Sequence, residues 1–218
     1  MQNVRRRTGA EGPDKPADAQ RRSRGRPRAF DRDKALDAAM RLFWQKGFAA
    51  TSISDLTDAM GIGSPSLYAA YGSKEALYAE ALRRFTELGV PLVWAPLEEG
   101  PTARQAVEAY LLAVAANFPV TSDKPAGCMV TLSAVGQEGC ETLGELVASY
   151  RREGMRRLEA RLSRAVAEGE LPPGTDTAAL ARFFLAVQQG MAIQARDGAS
   201  RAELESIALA AVERWPGA

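Results

Sequence analysis

Residues 52–71 read SISDLTDAMGIGSPSLYAAY, and the punctuation in this stretch decides the fold. Ser52 and Asp55, three positions apart, form a capping box in which Asp stands for the usual Glu or Gln, so a short helix begins here and runs through Met60. Gly61 stops it. A second short helix opens near Ser64, where Pro65 suits the first helical position because the N–H it lacks would have no partner there. It closes at Gly72. Two short helices around a glycine turn have the grammar of a helix-turn-helix. Neither is long enough to persist alone in water, so both need tertiary support. Ile53, Leu56, Met60, Ile62 and Leu67 supply it by packing inward against Phe43 and Phe48, which leaves Ser64, Ser66 and Tyr68 facing out.

The flanks extend this pattern. Asp31 caps a helix in which Leu36, Ala39, Met40, Phe43 and Trp44 recur at three- and four-residue steps until Gly47. Ser73 caps another, which carries Leu77, Tyr78, Ala81, Leu82 and Phe85 and runs to Gly89. Pro91, Pro96, Gly100 and Pro101 then punctuate the chain, and the boundary between two domains, 29–89 and 90–218, is placed there. Beyond it every segment keeps a helical period. Thr102 with Gln105 opens a helix through Phe118, a short helix follows near Met129 to Val135, and a long one runs from about Glu141 to Glu168 until Pro172 and Pro173. Two more close the chain, one through Leu180 to Met191 and one from the Ser200 and Glu203 capping box to Trp215. The expected fold is all-α, a three-helix helix-turn-helix domain followed by a second, all-helical domain.

Charge is uneven along the chain. Residues 1–28 carry nine basic and three acidic side chains, residues 29–85 seven of each, and the remainder twelve and seventeen. The first segment is rich in Arg, Pro, Gly and Ala with no apolar period to bury, and reads as a disordered basic arm. A basic end on a nearly neutral chain (net +1) points to nucleic acid. Two cysteines, Cys128 and Cys140, are too few for a disulfide scaffold, and with no histidine a structural zinc site is not expected, nor is any cofactor. No apolar run has the length to span a bilayer and no secretory leader is visible, so a cytoplasmic protein is expected. No nucleophile elbow, phosphate-cradling loop or metal-ligand cluster suggests an enzyme.

The block from Phe30 to Phe85, including the runs LFWQKGFAATSISDLTDAMGI and SLYAAYGSKEALY, resembles the N-terminal domain of the TetR family of bacterial repressors. The resemblance covers a quarter of the chain and rests on several fixed spacings together. It implies a homodimer that binds double-stranded DNA at a pseudo-palindromic operator, with a helical ligand-binding and dimerisation domain and release by a small effector. It also implies DNA contacts for Thr51 and Ser52 at a helix N-terminus, where N–H groups and the dipole favour phosphate, and for Lys74 at the head of the fourth helix. Ser64, Ser66 and Tyr68 match recognition-helix positions, and Tyr71 fills a place commonly held by an aromatic residue. Gly63 stands where the family commonly has Ser, and Ala69 and Ala70 replace bulkier residues, so base readout is expected to be sparse. Plainer roles are open for three of these: Ser52 as a cap, Tyr68 and Tyr71 as packing residues.

Arg24, Arg26 and Arg28 in the run RGRPR resemble an AT-hook, in which an extended chain lays arginines into a narrow A·T minor groove; a solvated tail is the alternative. In the second domain, Trp94, Tyr110, Phe118, Met129, Phe184 and Met191, with Gln188 as a polar group, are candidates for lining an apolar ligand cavity, or else simply core. Cys128 and Cys140 are read as structural, with redox sensing the alternative. Phe183, Val187, Met191, Leu204, Ile207 and Ala211 form the face expected to pair through a two-fold axis. The expected function is therefore a ligand-responsive transcriptional repressor; the alternative is a sequence-tolerant, nucleoid-type DNA binder using the basic arm.

Overall fold

The computed structural model describes residues 31–216, so Arg24, Arg26 and Arg28 lie outside the described residues. Every regular element described is a helix: α1 Arg32–Lys46, α2 Ile53–Met60, α3 Ser64–Tyr71, α4 Lys74–Gly89, α5 Ala95–Glu99, α6 Ala103–Asn117, α7 Met129–Leu132, α8 Glu141–Ala167, α9 Thr177–Arg196 and α10 Arg201–Val212. The capping residues act as their chemistry dictates. Asp31, Ser52, Ser73, Thr102, Asp176 and Ser200 each accept a hydrogen bond from a backbone N–H three residues on, and the reciprocal capping box forms at Ser52/Asp55 and Ser200/Glu203.

The proline-rich segment after Gly89 departs from the expected break. Val90–Trp94 continues α4 as a π-helical turn and joins directly to α5, with Pro91 and Pro96 each in the first turn of its piece. Pro91 has no N–H to continue the α4 ladder, and the helix widens into the π-turn at that point. This turn carries Trp94 into the interior, where its ring lies 4.8 Å from that of Tyr110.

Two apolar cores result. The N-terminal core joins α1 to α4 around Phe43, Leu56, Leu67, Leu77 and Tyr78, and it also takes in Met129, Val135, Leu143 and Val147 from α7 to α8. The second core is built on α6, α8, α9 and α10. The helix-turn-helix is thus supported partly by residues from beyond residue 90. On α9 and α10, Met191, Leu204 and Ala211 point into this second core, so they cannot belong to a pairing face as expected. Apolar residues ring more than one stripe of these helices, and α6 consumes the inner one. The outward stripe carries Phe183, Ile193 and Leu209, all more than 40% exposed, flanked by half-buried Val187 and Ile207.

Candidate nucleic-acid interface

Gly61 takes the left-handed conformation (φ 65°), which a side chain would strain, and its N–H reaches back to the carbonyls of Thr57 and Asp58. That tight stop turns the chain into α3. Leu67 and Tyr71 bury into the core, while Ser64, Pro65, Ser66, Tyr68 and Ala69 remain exposed. The N-terminus of α3 has no side-chain cap and no acid in its first turn, unlike those of α1, α2 and α4. It therefore presents positive helix-end potential unmasked, beside two hydroxyls and a phenol ring 48% exposed. A short helix of this shape fits a major groove, with hydroxyls for base edges and apolar atoms for thymine methyl groups.

Around it the expected phosphate anchors divide. Lys74 heads α4 with its Nζ 4.3 Å from the Phe48 ring centre and forms no ion pair among the described residues. The ring orients the ammonium without neutralising it. Ser52 is exposed, but its hydroxyl accepts from the Asp55 N–H and donates to Asp55 Oδ2 at 2.8 Å, and its own N–H is taken by the same carboxylate. It is a cap first. Asp55 also pairs with Lys46 at 3.0 Å, and these bonds, the Ser52 N–H foremost, lower its pKa to about 2.

Thr51 and Tyr71 are corrected by the structure. Thr51 is fully buried, its hydroxyl donating to the Gly47 carbonyl at 2.6 Å and its N–H to that of Phe48, so neither is free for a phosphate. Tyr71 is 5% exposed, with its hydroxyl donating to the Arg32 carbonyl at 3.0 Å and the Arg32 guanidinium over its ring. Thr51 closes the turn between α1 and α2, and Tyr71 ties α3 to α1.

A cavity of about 260 Å³ opens at the other end of α4. Of the expected lining residues it takes Trp94, Tyr110, Phe118 and Gln188. Met129 belongs instead to the N-terminal core, and Phe184 and Met191 to the second core, because α7 packs toward α4 and those faces of α9 turn to α6 and α10. The walls are completed by Phe85 and Gly89 of α4, Val93, Leu185, Cys128 and the helix α8. Cys140 is elsewhere, packed against the N-terminal core. Tyr110 is wholly buried and its hydroxyl has no partner among the described residues, so it adds a polar group to a mostly apolar chamber that Gln188, Arg151 and Arg157 also line.

Of the lining residues that the sequence did not mark, three have structural roles of their own. Gly154 sits mid-helix in α8 with the Trp94 ring 3.0 Å from where its Cβ would be; a glycine far from either end of so long a helical pattern was the available signal. Arg151 lines the cavity and donates to the carbonyls of Val130, Thr131 and Ser133, holding α7. Ser133 in turn bonds the Tyr78 hydroxyl of α4 at 2.9 Å. Arg157 pairs with Glu98 and Glu153 at the cavity wall. A further arginine, Arg196 of α9, donates to the carbonyls of Trp44, Gln45 and Ala126, tying the end of α1 to the second core. No periodicity marks which surface arginines turn inward.

This geometry defines a helix-turn-helix protein with a DNA-facing helix and an internal chamber joined by one helix. Residues 35–81 match the model for bacterial regulatory proteins of the tetR family. The HTH-type transcriptional repressor ComR of Escherichia coli (strain K12) is 40% identical over 202 residues, covering 90% of this chain and 94% of ComR. BdcR, a repressor of the same strain, is 42% identical over 113 residues, 51% of this chain and 56% of BdcR. Among solved structures, the regulator CifR, as a cysteine mutant complexed with 26bp double-strand operator DNA, superposes with a TM-score of 0.82 at 38% identity, over 88% of this chain and 100% of that one. The chain belongs to the TetR family, and it is a DNA-binding transcriptional regulator. Among the described residues no helix is long and apolar enough to cross a membrane, and no group of three or more acidic or cysteine side chains is placed to hold a metal.

Proposed function

We propose that the protein represses transcription as a cytoplasmic homodimer bound to a two-fold-symmetric operator, and leaves it when a small, largely apolar molecule enters the cavity. It acts by binding rather than by catalysis. The observation that carries this reading is α4. Its first turn holds Lys74 beside α3, and its last turn lines the cavity through Phe85 and Gly89. Sixteen residues make a lever of about 24 Å, so a ligand that displaces the cavity end moves the recognition helix with it. Two α3 helices must meet successive major grooves about 34 Å apart, and a change in their separation releases the dimer. The outward Phe183, Ile193 and Leu209 stripe gives the two copies a common apolar face. Ser64, Ser66 and Tyr68 contact base edges, with Ser52, Lys74 and the arginines Arg24, Arg26 and Arg28 on phosphates and the minor groove.

The relatives bearing repressor names favour this over an architectural, sequence-tolerant binder. The deciding experiment is fluorescence anisotropy with labelled duplex from the intergenic region beside the gene, challenged with excess random duplex. A regulator keeps its operator under that challenge; equal displacement by random DNA would sink the reading.

A further inference from the structure

Two cavities share the Glu153 and Arg157 pair. One is the apolar chamber; the other is a groove of about 360 Å³ lined by Arg156, Arg157, Arg161 and Arg164 against only Glu98 and Glu153. Three of these arginines are served at the surface. Arg156 meets Glu153 at 2.7 Å, Arg157 meets Glu98 and Glu153 at 3.1 Å each, and Arg164 meets Glu168 at 3.8 Å.

Arg161 is different. Its side chain is only 4% exposed, and its nearest acceptors, Glu170 Oε1 and the Gly100 carbonyl, both stand at 3.5 Å from one nitrogen, Nη2. The other Glu170 oxygen is engaged by the Ala103 N–H. Nε and Nη1 are buried with no partner among the described residues. Leaving N–H groups of a buried cation unserved is costly, and the Nη1–Nη2 edge, unserved on one side and held only at 3.5 Å on the other, matches two oxygens of one anion.

We propose that this groove binds a small oxyanion of the phosphate-ester or carboxylate class, with Arg161 as the anchoring fork and Arg156 and Arg164 at the mouth. The site is separate from the apolar chamber, and only its regulatory consequence rests on the effector-responsive reading. An anion in the groove competes with Glu98 and Glu153 for Arg157, whose guanidinium lies 5.9 Å from the Trp94 ring at the chamber wall. Filling one site therefore alters the wall of the other, and the coupling runs both ways.

The test is calorimetric titration of inorganic phosphate, and separately succinate, into the full chain without DNA, with sodium chloride at matched ionic strength as control. Saturable binding of either probe at one site per chain is expected, with none for chloride. Arg161→Gln weakens it by about tenfold or more, as loss of a charged hydrogen-bond fork requires. Should R161Q fail to fold by circular dichroism, the double variant R156Q/R164Q, altered only at exposed side chains, is expected to weaken binding by about threefold or more. Absence of saturable heat up to about 20 mM of both probes, or unchanged affinity in the folded variants, overturns the proposal. Because no DNA is present, neither result bears on operator binding.

Discussion

Tyr71 and Lys74 stand three positions apart and do opposite things. The phenol is inside, bonded to the Arg32 carbonyl, and the ammonium is held over Phe48 with no ion pair among the described residues. Lys74→Ala is expected to weaken DNA binding about equally on operator and random duplex, and to reduce the salt exponent by about one, since one phosphate contact is lost. Anisotropy across a salt series reads both; an unchanged slope would remove Lys74 from the interface. The Asp55 carboxylate, with its pKa at about 2 against an ordinary 3.8, contributes stability fully above roughly pH 4 and loses it as pH falls toward 2. Asp55→Ala should therefore melt below wild type at about pH 6, with a gap that narrows on acidification. A gap independent of pH would mean that packing, not the charged cap, is what Asp55 supplies. Tyr110→Phe removes a buried hydroxyl that has no partner, so the free protein should gain about 1 kcal/mol in urea unfolding while its response to effector falls. Destabilisation instead would show that a partner serves this hydroxyl in solution.

Among the elements, α7 is least able to stand by itself. Four residues cannot sustain a helix, and this one persists because Arg151 closes on its carbonyls and Met129 drops into the N-terminal core. Arg151→Met is expected to speed amide exchange across residues 129–135 and to leave α9 and α10 unaffected; uniform protection everywhere would refute the role. The sequence exposed α1 to α4 almost residue by residue, because Asp31, Ser52, Ser73, Gly61 and Gly72 act locally, through bonds to backbone within four residues. It concealed the continuous helix at Val90–Trp94, since proline reads as punctuation although a π-turn can absorb it. The sites of Arg151, Arg157 and Arg196 were equally hidden. Their partners lie 18 to 152 positions away, beyond reach of any periodic argument, apart from the Glu153 to Arg157 pair within α8. For Phe184 and Met191 the sequence leaves cavity wall and core both open, because an apolar stripe looks alike whether it faces a void or a neighbouring helix.

At the scale of the whole molecule, Arg196 fastens α9 to the end of α1, so the helices with the outward apolar stripe are linked by hydrogen bonds to the domain that reads DNA. The relative placement of two recognition helices then depends on how α9 and α10 pair. Phe183→Glu with Leu209→Glu should give monomers in analytical ultracentrifugation and lose operator binding by orders of magnitude, since one α3 reads too few base pairs. A dimer that survives both charges would place the two-fold axis elsewhere.

The bare backbone at Gly154 gives this architecture a tuning screw. Trp94 rests its ring edge 3.0 Å from where a methyl group would sit, tighter than ordinary contact, so each carbon added at position 154 is expected to push the indole toward the chamber. A ladder from Gly to Ala to Val would narrow the range of admitted molecules stepwise while leaving α3 untouched. Natural lineages and designers of whole-cell sensors could thus retarget the input of this regulator by editing a single codon, with its output wiring unchanged.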